Sequence, residues 1–150
     1  LYTSLYPNEK PNVGLLNIGS EELKGNETIK ETYQKLNDKK SENYNFSGYI
    51  EGNHLMDGDV NVIVSDGFTG NVVLKEAEGI YTLMKKRGIQ DEYFDRFNYE
   101  NYGGTPILGV KGNVIIGHGI SNDIAVKNML LLAFDVAKSN LSRKINRAFN

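Results

Sequence analysis

Apolar residues first gather in Val13-Gly14-Leu15-Leu16-Asn17-Ile18-Gly19, a run of strand length followed by Ser20-Glu21-Glu22, which has the polar cap and acidic first turn of a helix. The polar stretch 37–45 ends that helix, residues 44–50 supply a second strand-like segment, and Asp57-Gly58-Asp59 reads as a turn. Val60-Asn61-Val62-Ile63-Val64-Ser65 is the strongest strand, and Asp66-Gly67-Phe68-Thr69-Gly70-Asn71 is the loop that closes it. A helix then shows one apolar stripe at Val73, Ala77, Ile80, Tyr81 and Met84 and stops at Lys85, Lys86, Arg87 and Gly88. Asp91 to Phe97 suit a helical turn or two, and Tyr102-Gly103-Gly104-Thr105-Pro106 a loop. Two apolar runs, 107–110 and 114–116, are split by Lys111-Gly112-Asn113 with the spacing of a hairpin, so one antiparallel edge is allowed. From Ser121 the pattern predicts helix to the end, with Ala133, Ala137, Leu141, Ile145 and Phe149 at intervals of four.

Strands alternating with helices predict an α/β fold, a mainly parallel sheet flanked by helices, whose ligands sit beyond the C-terminal strand ends. At 150 residues, 39% hydrophobic and 24% charged, the chain fits one domain over residues 1–150, with no repeat or linker to divide it. The first twelve residues carry no initiating Met and run into Pro7 and Pro11 before any regular pattern, the start expected of a chain cut from something longer. A formal net charge of −2 gives no electrostatic case for nucleic acid. The lack of cysteine removes thiolate nucleophiles, disulfides and thiolate metal sites, and fits a cytoplasmic location. No apolar run approaches the ~18–20 residues of a membrane span.

Three Gly-containing segments stand where strands hand over to helices: Asn17-Ile18-Gly19-Ser20, the 66–71 loop, and Gly117-His118-Gly119-Ile120-Ser121-Asn122. In the predicted sheet they converge on one rim, where glycine lets backbone approach a ligand and helix N–H groups favour an anion such as phosphate. Neither a Walker A loop nor a dinucleotide fingerprint occurs, and His54 and His118 are too far apart for a paired metal motif. His54 reads as a surface or capping histidine, whereas His118 lies between glycines at a strand end, where structural and functional roles compete evenly. Lys24 is expected in the first turns of a helix, at the positive end of the dipole, where an anionic ligand would offset the penalty. The plainer account is a solvated lysine balanced by Glu21, Glu22 and Glu27.

The segment running from Pro11 through Gly19 to Lys24-Gly25-Asn26 resembles a signature segment of the PlsX-type phosphate acyltransferases. Similar matches, in the family's order, are Val64-Ser65-Asp66-Gly67-Phe68-Thr69-Gly70-Asn71-Val72-Val73-Leu74-Lys75, Glu78-Gly79, Tyr102-Gly103-Gly104-Thr105-Pro106-Ile107-Leu108-Gly109 and residues 117–122. The likeness is to the family's C-terminal half and covers most of residues 11–128. The family's Asp-Ala-Met-Gly-Gly-Asp segment is missing, so a complete active site is not expected in this chain alone.

That resemblance implies an isocitrate/isopropylmalate dehydrogenase-like fold, a homodimer, no metal or organic cofactor, and acyl transfer from acyl carrier protein to inorganic phosphate. It assigns Lys24 to phosphate or oxyanion charge and Asn71 to hydrogen bonding at the reacting centre, with both side chains meeting the same anion. His118, Ser121 and Asn122 fall on the adjoining wall, and Asp66, Gly67, Thr69 and Gly70 form the neighbouring loop, with Asp66 orienting it. Many family members carry a long helical hairpin associated with dimer contacts and with membrane contact at its tip. Residues 80–101 are too few for it, which weakens that route to peripheral membrane association. Two rival readings are a phosphotransacetylase-like enzyme using coenzyme A, for which no adenine pocket is visible, and a non-catalytic truncated binding domain.

Overall fold

The computed structural model describes residues 2–6 and 9–149, which form two compact units, 2–70 and 71 onward. In the first, a short helix α1 (Tyr2–Leu5) precedes the first strand, where the sequence pattern predicts no regular structure; Pro7 lies outside the described residues. Three strands, β1 (Asn12–Leu16), β2 (Asn45–Ile50) and β3 (Val62–Val64), form a parallel sheet in the order β2-β1-β3. The central strand is the most buried, and among the described residues Val13, Leu15 and Ile50 are this unit's buried hydrophobic side chains.

Helix α2 (Glu27–Asp38) packs on β2 through Tyr33, whose ring meets Phe46 at 5.4 Å and Tyr49 at 4.4 Å. Those two rings are three residues apart, a spacing that would put them on opposite faces of a regular strand. A bulge brings them together: Val13 pairs with Phe46 and Leu15 with Tyr49, and the extra residue goes to β2, where Gly48 takes φ +86°. At the opposite, N-terminal end of the sheet, asparagines fasten the strands. Asn45 Nδ2 donates to Asn12 Oδ1 (3.2 Å), and Asn12 N–H donates to Asn61 Oδ1 (2.8 Å).

The helices begin where side-chain caps are available, which moves two boundaries. Helix α2 starts at Glu27, capped by Asn26 Oδ1 accepting from Ile29 N–H (3.0 Å), not at the Ser20-Glu21-Glu22 signal. Helix α3 (Gly67–Lys86) begins directly after Asp66, so the expected 66–71 loop is its first turn and a half. Asp66 accepts from Thr69 N–H (2.9 Å), one of the open N-terminal donors, and from Thr69 Oγ1–H (2.6 Å), which starts the helix despite Gly67 and Gly70. The expected stop at Gly88 holds, as Gly88 N–H donates to the Lys85 carbonyl (3.0 Å) and Ile89 N–H to that of Met84 (3.0 Å).

In the second unit two 3₁₀ turns, Phe94–Phe97 and Tyr99–Asn101, follow α3, as the 91–97 pattern suggests. An antiparallel pair is present, but its first strand is displaced: β4 (Gly104–Pro106), expected as loop, pairs with β5 (Ile115–Gly117) in a sheet separate from the parallel one, and the apolar run 107–110 is not a strand. The single C-terminal helix expected from Ser121 is two. Helix α4 (Asp123–Lys138) is capped by Asn122 and ends at Ser139, Asn140 turns left-handed (φ 54°), and α5 (Leu141–Phe149) follows. The core here consists of Ala125, Val136 and Leu141; Ala137 is exposed, and the Phe149 side chain lies outside the described residues. Among the described residues no helix is long and apolar enough to cross a membrane.

The 99–103 segment lies directly on α4. Glu100 accepts from Asn122 Nδ2 (2.6 Å) and Asn98 Nδ2 (3.2 Å), while Asn128 Nδ2 donates to the Glu100 carbonyl (2.7 Å). Gly103, buried and at φ +70°, has no room for a side chain, because a Cβ there would run into the α4 backbone at Met129 and Ala125.

Two predictions follow from this packing. Gly103→Ala should cost about 2–4 kcal/mol, combining overpacking against backbone with left-handed strain, and a urea melt unchanged from wild type would show that the gap can open. Asp66 has its pKa lowered below 3.8, first by the Thr69 hydroxyl and then by the Thr69 N–H. Its contribution to stability is therefore complete above the unfolded-state value and lost as pH falls through the lower folded one. Thr69→Val should move the Asp66 titration, followed by NMR, up toward 3.8, and the stability gap to wild type should close in acid.

Candidate functional site

Strands β1 and β3 are adjacent and parallel, so the segments that follow them lie beyond the same edge of the sheet. After β1 the chain does not enter a helix at once. Asn17, 5% exposed, donates through Nδ2 to the Lys24 carbonyl (3.1 Å) and accepts through Oδ1 from Ile18 N–H (2.9 Å), drawing residues 17–25 into a folded loop. Lys24 N–H closes a turn onto the Glu21 carbonyl (3.0 Å). Lys24 thus sits before α2, not within its first turns, and the dipole penalty expected for it does not apply. Its side chain is exposed and makes no ion pair among the described residues. After β3 come Asp66, which orients the start of α3, and Gly67, Thr69 and Gly70 in that helix's first turns.

In the second unit α3 presents Asn71, Lys75 and Glu78 at i, i+4 and i+7, the spacing of one helix face. Opposite them stand Tyr99 and Tyr102, the paired strands at Gly104, Thr105, Ile116 and Gly117, and His118, enclosing a cleft of about 480 Å³. Lys75 Nζ lies 2.8 Å from Glu78 Oε2 and 2.8 Å from His118 Nε2, while Glu78 and His118 are 3.9 Å apart. The Asn71 amide is exposed in the helix's second turn, with no hydrogen-bond partner among the described residues. It does not close a loop, yet it still faces a concave surface.

His118 is held from several sides. The Tyr99 ring lies over the imidazole at 5.0 Å, and Tyr99 Oη–H donates to the Ile120 carbonyl (3.3 Å). An ammonium donating to Nε2 requires the imidazole to be neutral with its proton on Nδ1. Ile120 N–H, 3.5 Å from Nδ1, is the weaker contact and would require the other tautomer. Ser121 and Asn122 have structural partners. Ser121 Oγ–H donates to the His118 carbonyl (2.6 Å), and Asn122 caps α4 through Ala125 N–H (3.0 Å) while its amide holds Glu100 (2.6 Å).

The structure therefore brings Asn71 and His118 to one cleft. Lys24, Asp66, Gly67, Thr69 and Gly70 belong to the other unit, where Gly19 and Gly70 share the sheet edge; Gly119 follows an antiparallel strand. Lys75 and Glu78 occur in the signature segments but carry no chemistry in the sequence reading. Their spacing from Asn71 was the available signal. His54 is a surface residue, as expected, hydrogen-bonded to Asp57 (2.6 Å), which raises its pKa. A second cleft of about 630 Å³ in the unit of α4 and α5 is lined by Lys111, Asn113, Asn140, Ser142, Arg143 and Asn146, with apolar groups among them.

Residues 2–144 match the family model described as fatty acid synthesis protein. Curated relatives include a phosphate acyltransferase of Pelagibacter ubique, 43% identical over 97% of this chain and 49% of that protein. Those of Wolinella succinogenes (41% identical; 94% of the chain, 47% of the relative) and Dictyoglomus thermophilum (41%; 90% and 45%) agree. The chain spans about half the length of the curated relatives it matches. With a parallel α/β sheet, the signature segments in order and a model match over nearly its whole length, the chain belongs to the fatty acid synthesis protein family.

Proposed function

We propose that this chain forms part of an enzyme that transfers an acyl group from acyl carrier protein to inorganic phosphate, giving acyl phosphate for phospholipid synthesis. The observation carrying this reading is the unpartnered Asn71 amide in the cleft beside Lys75 and His118, in a chain whose relatives are named phosphate acyltransferases. An oxygen of HPO₄²⁻ attacks the thioester carbonyl, whose π pair moves to oxygen. Collapse expels the thiolate, which takes up the proton that phosphate gives up. The carrier-bound thioester and phosphate contain every group exchanged, so no cofactor or metal is required. The protein must position the two and donate hydrogen bonds to the developing oxyanion.

Asn71 is the donor to that oxyanion, and Lys24 provides cationic charge on the loop after β1. The reading includes the dehydrogenase-like architecture and the homodimer, for which exposed Leu130, Leu131 and Phe134 on α4 provide apolar surface. It places the reaction in the cytoplasm. Acyl carrier protein, an acidic partner, approaches the end of the chain where Lys138, Arg143, Lys144 and Arg147 are all exposed.

If Asn71 binds the transition state, Asn71→Ala should lower kcat by roughly 10²–10³ with the fold intact. The assay follows acyl phosphate in a polypeptide of the relatives' full length containing these residues, and a loss under about threefold would remove Asn71 from the centre. Combined Arg143→Glu and Lys144→Glu should raise the KM for acyl carrier protein at low salt and lose that effect at high salt. An unchanged KM at low salt would discard docking at this end.

A further inference from the structure

We infer that Lys75 is the phosphate-binding cation of the cleft that holds Asn71, positioned by Glu78 and His118. The inference deepens the acyl-transfer reading and rests on it. An ammonium has three N–H donors in tetrahedral directions. Two are committed, to the Glu78 carboxylate and to His118 Nε2, each at 2.8 Å, and the third has no partner among the described residues. Two fixed donors aim the third, at little cost in side-chain entropy when an anion arrives.

Position supports the same role. Lys75 is one helical turn beyond Asn71 on the same face, and both line the cleft, as does Thr105 with its hydroxyl. Lys75 is half exposed and Glu78 and His118 about one third, so the ammonium is reachable from solvent and still backed by protein. Sharing the ammonium with an uncharged imidazole gives it a second fixed partner without a second negative charge. The Tyr99 ring, tilted against the imidazole, keeps His118 in place. Lys24, by contrast, has no acidic or imidazole group holding its side chain among the described residues.

Bound there, phosphate presents an oxygen to the thioester while Lys75 donates to another, without proton transfer from the lysine. Glu78 and His118 act through Lys75 and are positioning residues.

The test measures phosphate KM and kcat separately, using the full-length polypeptide and acyl-acyl carrier protein as donor, with circular dichroism as the check on folding. Lys75→Met should raise the phosphate KM at least tenfold while changing the carrier-protein KM less than threefold. Lys75→Arg, which keeps charge and bulk, should raise the phosphate KM at least threefold, because a planar fork cannot replace three tetrahedral donors. His118→Gln retains a neutral acceptor and should stay closer to wild type in phosphate KM than His118→Leu. A phosphate KM within threefold of wild type for Lys75→Arg and for any folded Lys75→Met overturns the inference and leaves the acyl-transfer reading standing. A wild-type protein that forms no acyl phosphate overturns the reading itself, and this inference with it.

Discussion

The contact between Gly103 and α4 is the constraint on which the second unit depends. Backbone meets backbone there, and the neighbouring Glu100 locks the approach by receiving amides from Asn98 and Asn122 while its carbonyl receives Asn128. Tyr99 comes between these anchors and so has little freedom. Its ring fixes the imidazole of His118, and His118 fixes the Lys75 ammonium. A packing restriction with no chemical role of its own thus sets the geometry of the charged groups that face the cleft.

The first unit solves a different problem. Its sheet has only three strands, and its core is small, so α2 must cover one face efficiently. The bulge at Gly48 lets Phe46 and Tyr49 both reach Tyr33, concentrating aromatic area under one helix. The loop after β1 is shaped by a buried amide instead of by helix formation, and that leaves Lys24 on a fixed turn with its charge in solvent.

Much of this was legible in the sequence. β2 and β3 fall within their expected segments and β1 begins one residue before its own, at Asn12, while α3 stops at Gly88 because the Lys-Lys-Arg-Gly ending carries both charge and turn information. The errors lie where two local rules compete. Ser20-Glu21-Glu22 satisfies a capping pattern, but Asn17 captures the Lys24 carbonyl and Asn26 offers a cap further on. The glycines at 67 and 70 suggest a loop, yet two hydrogen bonds between Asp66 and Thr69 suffice to start a helix through them. The four-residue period from Ala133 to Ile145 runs across a left-handed Asn140, which periodicity cannot register. The Lys75–His118 contact spans 43 residues of sequence and depends on folding, though the Asn71, Lys75, Glu78 spacing was there to be read.

The asparagine fastenings at the start of the strands separate two kinds of evolutionary freedom. Register in a parallel sheet must be fixed somewhere, and here Asn12, Asn45 and Asn61 fix it at the end away from the Lys24 loop and the α3 cap. Residues beyond the other end can then be exchanged, lengthened or recharged without shifting one strand against another. The edge that carries these loops can diverge while the sheet beneath it stays unchanged.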